Sequence, residues 1–265
     1  AINHPSGLMT STDDSAILHQ NTNFSFVNPL WEISESFQDI RMGATMDCYL
    51  NGYNDPRISK YFRTATNDGK YHGVRNGMDN IAKDSYIAAA SGLNFNENSD
   101  MQWMDAAEAY FLLAEAKLRL GLGNSTVQEY YEQGIRTSFS QEGVSGADEY
   151  ITNSERLPLT SYTDPVTNRS TNVSGYLSQK AVAWEDGVSD EAKLERIMIQ
   201  KWIALYPDGQ EAWSEMRRTG YPGFVRIASY GHQSEVADGE LISRLKFPTT
   251  EYSDNLSLIH ISEPT

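Results

Sequence analysis

The residues of this sequence best suited to chemistry are aromatic and amide side chains in segments without helical periodicity. Residues 63–100 contain repeated turn signals such as Asn67-Asp68-Gly69 and no sustained period, which predicts long loops with at most short strands. Flat rings with polar edges can stack on the C–H faces of sugars, while amides and carboxylates bind the hydroxyls. The candidate ligand-binding residues on these loops are Tyr71, Arg75, Tyr86, Asn94, Phe95 and Asn96.

Aromatic residues also build cores, and their spacing separates the two uses. The chain has fifteen tyrosines and five tryptophans. Tyr110, Tyr130, Tyr131 and Trp202 fall on helical stripes, so we expect them to be buried. Trp184 stands apart from those stripes and is a weaker binding candidate.

Signatures of the common enzyme classes are absent from the sequence. It has no glycine-rich dinucleotide or phosphate loop, no nucleophile elbow and no zinc-protease histidine pair. A glycosidase needs two carboxylates about 5 to 9.5 Å apart, but with 36 acidic residues a pair such as Asp186 and Glu211 carries no weight. We predict a non-catalytic protein without a cofactor.

Metal sites are weakly indicated. Asparagine and aspartate oxygens suit calcium, and four of them alternate along one stretch, at Asn94, Asn96, Asn98 and Asp100. That stretch lacks the glycine and terminal glutamate of an EF-hand loop, and the histidines outside the tail, His4, His19, His72 and His232, have no ligand spacing. We therefore predict no metal.

The charge balance excludes several classes of partner. Lys+Arg 21 against Asp+Glu 36 gives a net charge of −15, which argues against nucleic acid and against direct attraction to an anionic membrane. The single cysteine, Cys48, cannot form an internal disulfide, and we expect a small buried residue there. The sequence contains no run of eighteen apolar residues, which is about the length that a membrane-spanning helix needs.

Helical periodicity predicts the scaffold. The stripe that contains Leu194, Ile197 and Trp202 predicts a helix buried on more than one side, followed by a Tyr206–Gly209 turn and a second amphipathic helix. Helices are also predicted over 101–120 and 127–139, joined by a glycine turn, as in a tetratricopeptide-type hairpin.

Three other segments receive weaker assignments. Residues 1–28 are rich in polar residues and predict an extended, loop-rich stretch. A helical pattern begins at Pro29 and continues through Leu50. The broken segment 143–187 predicts loops, with a possible helix over 176–184.

Four residue strings carry a family resemblance. They are NPLWEISESFQDIRMGATMDCYLNGYNDPRISKYF, DAAEAYFLLAEAKLRLGLG, QKWIALYPDGQEAWSEMRRTGYP and RLKFPTTEYSDN, in this order along the chain. Together they resemble the SusD/RagB-like family, whose members are surface nutrient-binding lipoproteins that partner TonB-dependent outer-membrane transporters. The resemblance implies a mainly α, tetratricopeptide-like helical-repeat fold with long irregular loops and minor β structure.

The resemblance also implies a function and a location. It implies non-catalytic binding of an oligosaccharide or other nutrient oligomer at the outer-membrane surface, and delivery to the transporter. Membrane attachment would be only through a lipid anchor that this chain does not contain. Within the matching strings we expect structural roles for Asp55, Arg57, Trp213, Arg217, Arg218, Arg244 and Glu251. One of the two adjacent arginines is expected to anchor the turn by hydrogen bonds or to pair with a carboxylate such as Glu211.

The ends of the chain carry a separate expectation. We expect residues 1–255 to be a partial SusD/RagB-like domain that lacks the N-terminal part of the family, and residues 256–265 to be a non-native tail, since they resemble translated sequencing adapter. Two alternatives to glycan capture remain open. One is a secreted glycoside hydrolase, which would show turnover, and the other is a helical-repeat adaptor, which would bind peptides in a groove.

Overall fold

The structure of this chain is a computed structural model that describes residues 2, 4–78, 82–229, 237, 239–242, 248, 250 and 254. In this part the helices are α1 (Pro29–Trp31), α2 (Ala44–Tyr53), α3 (Ile58–Tyr61), α4 (Lys83–Ala89), α5 (Ala106–Leu120), α6 (Val127–Gln141), α7 (Ala147–Ile151), α8 (Asp190–Ala204) and α9 (Gly209–Thr219). The strands are β1 (Ala16–Leu18), β2 (Met101–Met104), β3 (Ser161–Thr163) and β4 (Ser170–Asn172). The predicted mainly α fold with minor β structure is confirmed.

Helices α5 and α6 form the predicted hairpin, and its ends are closed by local hydrogen bonds. The Asp105 carboxylate caps α5 by accepting from the Ala107 amide at 3.0 Å. At the other end Gly121 adopts φ +68°, which glycine tolerates best. A capping box between Thr126 and Glu129 then starts α6.

Helices α8 and α9 form the predicted helix, turn, helix unit. Helix α8 is buried along most of its length, including Ile197 and the charged Lys201. The Asp208 side chain accepts from the Glu211 amide at 3.0 Å and starts α9 directly after the turn. The wide apolar stripe is therefore confirmed, since α8 contacts α5, α6 and α9.

The single long helix expected after Pro29 is wrong. Helix α1 continues as a π-helical turn over Glu32–Ser36, and α2 begins only at Ala44. Between them the backbone bonds to distant segments: the Met42 amide donates to Ser91 and the Val74 amide donates to Met42, each at 2.8 Å. Tertiary hydrogen bonds replace the helical ones that the periodicity predicted.

The helix predicted over 101–120 begins too early. Met101–Met104 is a strand that pairs antiparallel with Ala16–Leu18, and α5 starts after the cap at Asp105. The segment expected to be extended, 1–28, thus supplies one short strand. A second difference is α4, which lies inside the region expected to consist of loops.

The possible helix over 176–184 is also wrong. This segment is irregular, and buried tyrosines bond its carbonyls, Tyr53 to Lys180 and Tyr131 to Val182, each at 2.7 Å. Cys48 is buried as expected. Within the described ranges, no helix is long and apolar enough to cross a bilayer.

Some expectations fall on residues outside the described ranges. Arg244, Glu251, His232 and the tail 256–265 belong to this group. Their assigned roles stay predictions.

Candidate functional site

A buried ion pair anchors the loop between α2 and α3 to the helical scaffold. Arg57 Nη2 lies 2.6 Å from Asp55 Oδ2, and both side chains are completely buried. The same guanidinium donates to Ser138 on α6 at 2.9 Å and to Gln200 on α8 at 3.1 Å. Tyr150 is within 3.4 Å. The hydrogen bonds of this Arg57 network satisfy the buried charges and fix the loop.

A second ionic network joins α9 to α5 near the surface. Arg218 makes a fork to Glu115, at 2.7 and 2.6 Å, and also bonds Glu215. These two carboxylates are its partners, rather than Glu211. Lys201, buried in α8, lies 3.1 Å from Glu108 and 3.2 Å from Glu215.

Trp213 and Arg217 complete this side of α9. The Arg217 guanidinium stacks 4.5 Å above the Trp213 ring. The Trp213 indole donates to the Ile242 carbonyl at 2.9 Å. These contacts tie α9 to the chain that follows it.

One open cavity among the described residues, which we call the aromatic cleft, has a volume of about 680 Å³. Its walls come from the Tyr206–Gly209 turn, from β2 and from the start of α1. Trp103 stands at this cleft with 63% of its surface exposed. Phe95 and Tyr206 stack with ring centres 6.2 Å apart and planes inclined by 27°. The cleft therefore offers flat apolar faces to a ligand.

Carboxyl groups with raised pKa values accompany these rings. Burial raises the pKa of Glu142, a lining residue, to about 7, and the neighbouring Asp105 carboxylate adds to that shift. Burial likewise raises the pKa of Asp105 to about 6, although the Ala107 amide opposes this. A fraction of Glu142 is protonated at neutral pH and can donate a hydrogen bond to a hydroxyl.

A second cavity, which we call the basic cleft, has a volume of about 420 Å³ and contains two predicted site residues, Arg75 and Tyr86. Arg75 Nε donates to the Arg226 carbonyl at 2.7 Å. The Tyr86 hydroxyl donates to the Asp164 carboxylate at 2.9 Å, and its ring is only 6% exposed. Burial, with Asp164 adding to it, raises the pKa of Tyr86 to about 12.

The four other predicted site residues are distributed differently. Phe95 lies in the aromatic cleft, and Tyr71 is half-buried against the core. Asn94 is exposed and donates to the Ser59 carbonyl at 3.1 Å, while Asn96 accepts from the Asn98 amide in a local turn. The structure thus brings Arg75 and Tyr86 into one cleft and does not join all six into one platform.

The stretch considered for calcium has other contacts. The Asp100 carboxylate accepts from the Gln20 amide at 2.9 Å and pairs with the exposed His19 ring at 2.8 Å. Within the described ranges, no group of three His, Cys, Asp or Glu side chains could hold a metal ion.

Sequence reasoning missed Trp103, the most exposed aromatic ring among the described residues. Trp103 falls within the helix predicted over 101–120, but in the structure it precedes the helix and lies on β2. The signal was present, since Asp105 followed three residues later by Glu108 matches a helix start at Ala106. Arg41 and Lys83, which line the basic cleft, had no comparable signal, since they approach Arg75 only through the tertiary fold.

Comparisons with known proteins give a consistent picture. The model of the SusD-like family, described as "Susd and RagB outer membrane lipoprotein", matches residues 1–261. No curated protein matches. Among solved structures, a chitin-binding SusD homologue from Flavobacterium johnsoniae is 37% identical, with a TM-score of 0.86 over 98% of this chain and 53% of that chain.

Two further solved structures are similar. A SusD homologue from Bacteroides thetaiotaomicron is 34% identical, with a TM-score of 0.85 over 97% of this chain and 52% of that chain. One from Bacteroides uniformis is also 34% identical, with a TM-score of 0.85 over 98% and 54%. The chain spans about half the length of the solved structures it matches.

Proposed function

We propose, because this chain belongs to the SusD-like family of outer-membrane lipoproteins, that the protein captures glycans or other nutrient oligomers at the cell surface. We further propose that it hands them to a TonB-dependent outer-membrane transporter, and that the whole protein is attached by a lipid anchor. The capture step needs no chemistry on the ligand, so the proposed role is non-catalytic.

The observation that carries the capture role is the exposed Trp103 ring beside the aromatic cleft. A large ring exposed to 63% gains little for folding, but it can stack on a sugar face. Gln102 and Asp100 line the same cleft and can bind hydroxyl groups. The cleft volume of about 680 Å³ is in the range of small-molecule sites.

Chitin oligosaccharides are the first ligands to test, since a 37% identical structure is described as chitin-binding. Calorimetric titration of the 265-residue chain with chitohexaose, and with a panel of soluble polysaccharides, measures capture directly. We expect saturable binding that weakens at least about tenfold in Trp103→Ala. Phe24→Ala removes another exposed ring outside the cleft and should bind normally. Equal binding by Trp103→Ala and the unmodified chain would contradict this site.

A glycoside hydrolase is the second candidate, and the raised pKa of Glu142 is the observation that favours it. A carboxyl group with a pKa near 7 suits a general acid. Reducing ends assayed in the titrated samples separate the two roles. Release of sugar that is abolished in Glu142→Gln would replace capture by catalysis, whereas binding without release supports capture.

Exposed apolar side chains offer a surface for a protein partner. Leu112, Leu120 and Leu122 lie on α5 or directly after it and are exposed. Apolar side chains grouped in this way are typical of interaction sites. Affinity purification of the tagged protein from detergent-solubilised outer membranes tests the partnership. A TonB-dependent transporter in the eluate supports the proposal, and its absence contradicts it.

A further inference from the structure

The basic cleft concentrates positive charge in a strongly acidic protein. Among the described residues that line it, Arg41, Arg75 and Lys83 are cationic and Asp39 is the one anionic residue. The whole chain carries a net charge of −15. Three cations around one cavity of about 420 Å³ create a local field opposite to that of the rest of the protein.

The hydrogen-bonding capacity of these cations is only partly used. Arg41 Nη1 donates to the carbonyls of Ser34 and Ile40, at 2.7 and 2.8 Å. Its Nε is buried and has no partner among the described residues. Burial also lowers the pKa of Arg41. An unpaired buried donor costs free energy, so a negative charge in the adjoining cleft would stabilise this guanidinium.

The other two cations are held in place by hydrogen bonds, Arg75 from outside the cavity and Lys83 partly by Asp39, which lines it. Arg75 Nε is fixed by the Arg226 carbonyl, and its two terminal nitrogens form no hydrogen bond or ion pair with a described residue. Lys83 bonds the Phe37 carbonyl and Asp39. Arg75 is therefore oriented at its inner nitrogen and keeps donors for a ligand, which is a suitable arrangement for an anion.

The shape of the surroundings favours a sugar oligomer over a small free anion. The basic cleft shares Ile40 and Arg41 with an adjoining apolar cavity of about 430 Å³. That cavity shares Leu30 and Tyr206 with the aromatic cleft. The shared residues place the three cavities next to one another, an arrangement that suits a chain of several sugars better than a small free anion.

We propose that the basic cleft is a subsite for an anionic sugar residue, one that bears a carboxylate or a sulfate group, within the captured glycan. The proposal rests on the glycan-capture function proposed above. Arg75 binds the anionic group through its terminal nitrogens, with Lys83 and Arg41 adding positive charge. The acidic remainder of the protein repels other anionic groups, which favours a register with one charged sugar in this cleft.

The test compares ligands that differ only in charge. A xylohexaose that carries one glucuronate branch, and the methyl ester of that glucuronate, are titrated into the 265-residue chain, with a xylohexaose that carries one sulfate ester as a third arm to distinguish carboxylate from sulfate. We expect the oligosaccharide with the free glucuronate to bind about tenfold more tightly than its methyl ester at low salt, and the difference to shrink at about 0.5 M salt. A sulfated ligand that exceeds both identifies sulfate as the preferred group.

Three variants test whether the basic cleft is the place where the charged group binds. Arg75→Gln should remove the preference for the charged ligand over the ester, and Lys83→Gln should reduce that preference. Arg169→Gln removes an exposed arginine outside the cleft and is the matched control. Equal affinity for acid and ester overturns the anionic subsite while capture stands. No binding of any glycan, neutral or charged, overturns capture and the subsite together.

Discussion

Two arginines in this molecule make ion pairs of the same length in opposite surroundings. Arg57 lies 2.6 Å from Asp55 and Arg218 lies 2.6 Å from Glu115. The Arg57 side chain is fully buried, while that of Arg218 is 44% exposed. Because water screens an exposed charge and cannot reach a buried one, equal distances do not mean equal contributions to stability. Burial therefore decides how much each ion pair contributes to the stability of the fold.

The largest effect is expected at Arg57. Arg57→Ala leaves the Asp55 carboxylate buried without its partner and opens a cavity between α6 and α8. We expect the free energy of unfolding to fall by about 3 to 5 kcal/mol. Urea unfolding followed by circular dichroism measures this change. A loss below about 1 kcal/mol would show that the buried pair behaves like a surface pair.

A double variant sharpens the same point. Asp55→Asn with Arg57→Gln removes both charges and keeps groups that can form hydrogen bonds. We expect the double variant to be more stable than the summed effects of the two single variants predict. Each single variant leaves one lone buried charge, whereas the double variant leaves none. If the losses in free energy of unfolding of the two single variants simply add in the double variant, the cost of each single change does not come from the unpaired buried charge that it leaves.

Unlike Arg57, Glu142 is an ionisable residue without an ionic partner in the described part of the chain. It is a half-buried acid that forms no salt bridge with a described residue. Burial raises its pKa to about 7 in the folded state, above its value in the unfolded chain. The folded state therefore holds more protons between these two pKa values, and stability falls as pH rises from about 4.5 to about 7.

Glu142→Gln tests this sign. Glutamine resembles the protonated acid, so we expect the variant to be more stable than the unmodified chain by about 1 to 2 kcal/mol at pH 8. The two should be equally stable at pH 4, where the acid is protonated in both states. Thermal unfolding at both pH values is the measurement. Destabilisation at pH 8 would mean that the carboxylate has a favourable ionic role.

Arg218 should show a smaller, salt-dependent effect. Burial raises the pKa of Glu215, but the hydrogen bonds and charges of Arg218 and Lys201 bring it below its ordinary value. We expect Arg218→Gln to cost about 1 kcal/mol at low salt, because the pair is partly exposed. Urea unfolding at low and high salt measures the cost, which should decrease at high salt. A loss as large as that of Arg57→Ala would remove the contrast between the two arginines.

The helical scaffold was predictable from the sequence because its signals are local. The apolar stripe of α8, the glycine after α5 and the Tyr206–Gly209 turn each act within a few residues. The break between α1 and α2 was not predictable, since Met42 bonds to Ser91 and Val74 from distant segments. Tertiary hydrogen bonds overrode a helical pattern there.

The candidate site was predictable only in part for the same reason. Loop aromatics and arginines can be nominated from composition, and Arg75 and Phe95 do line cavities. Which residues share a cavity depends on how the fold brings distant segments together, and Arg41 and Lys83 are an example. The burial of Tyr86 could not be predicted from the sequence. Its ring is buried and its hydroxyl bonds Asp164, although it lies in a segment that the sequence predicts to consist of loops.

The smallest effect on stability is expected at Trp103. We expect this residue to matter for ligand binding and not for folding, in contrast to Arg57. Its ring is largely exposed, so Trp103→Ala should change the free energy of unfolding by no more than about 0.5 kcal/mol. Glycan titration of the same sample should nevertheless show the loss of affinity expected for the aromatic cleft. Urea unfolding and calorimetry together measure both quantities. A stability loss near that of Arg57→Ala would make Trp103 a folding residue, because a ring that stabilises the fold so strongly does not stand free for a ligand.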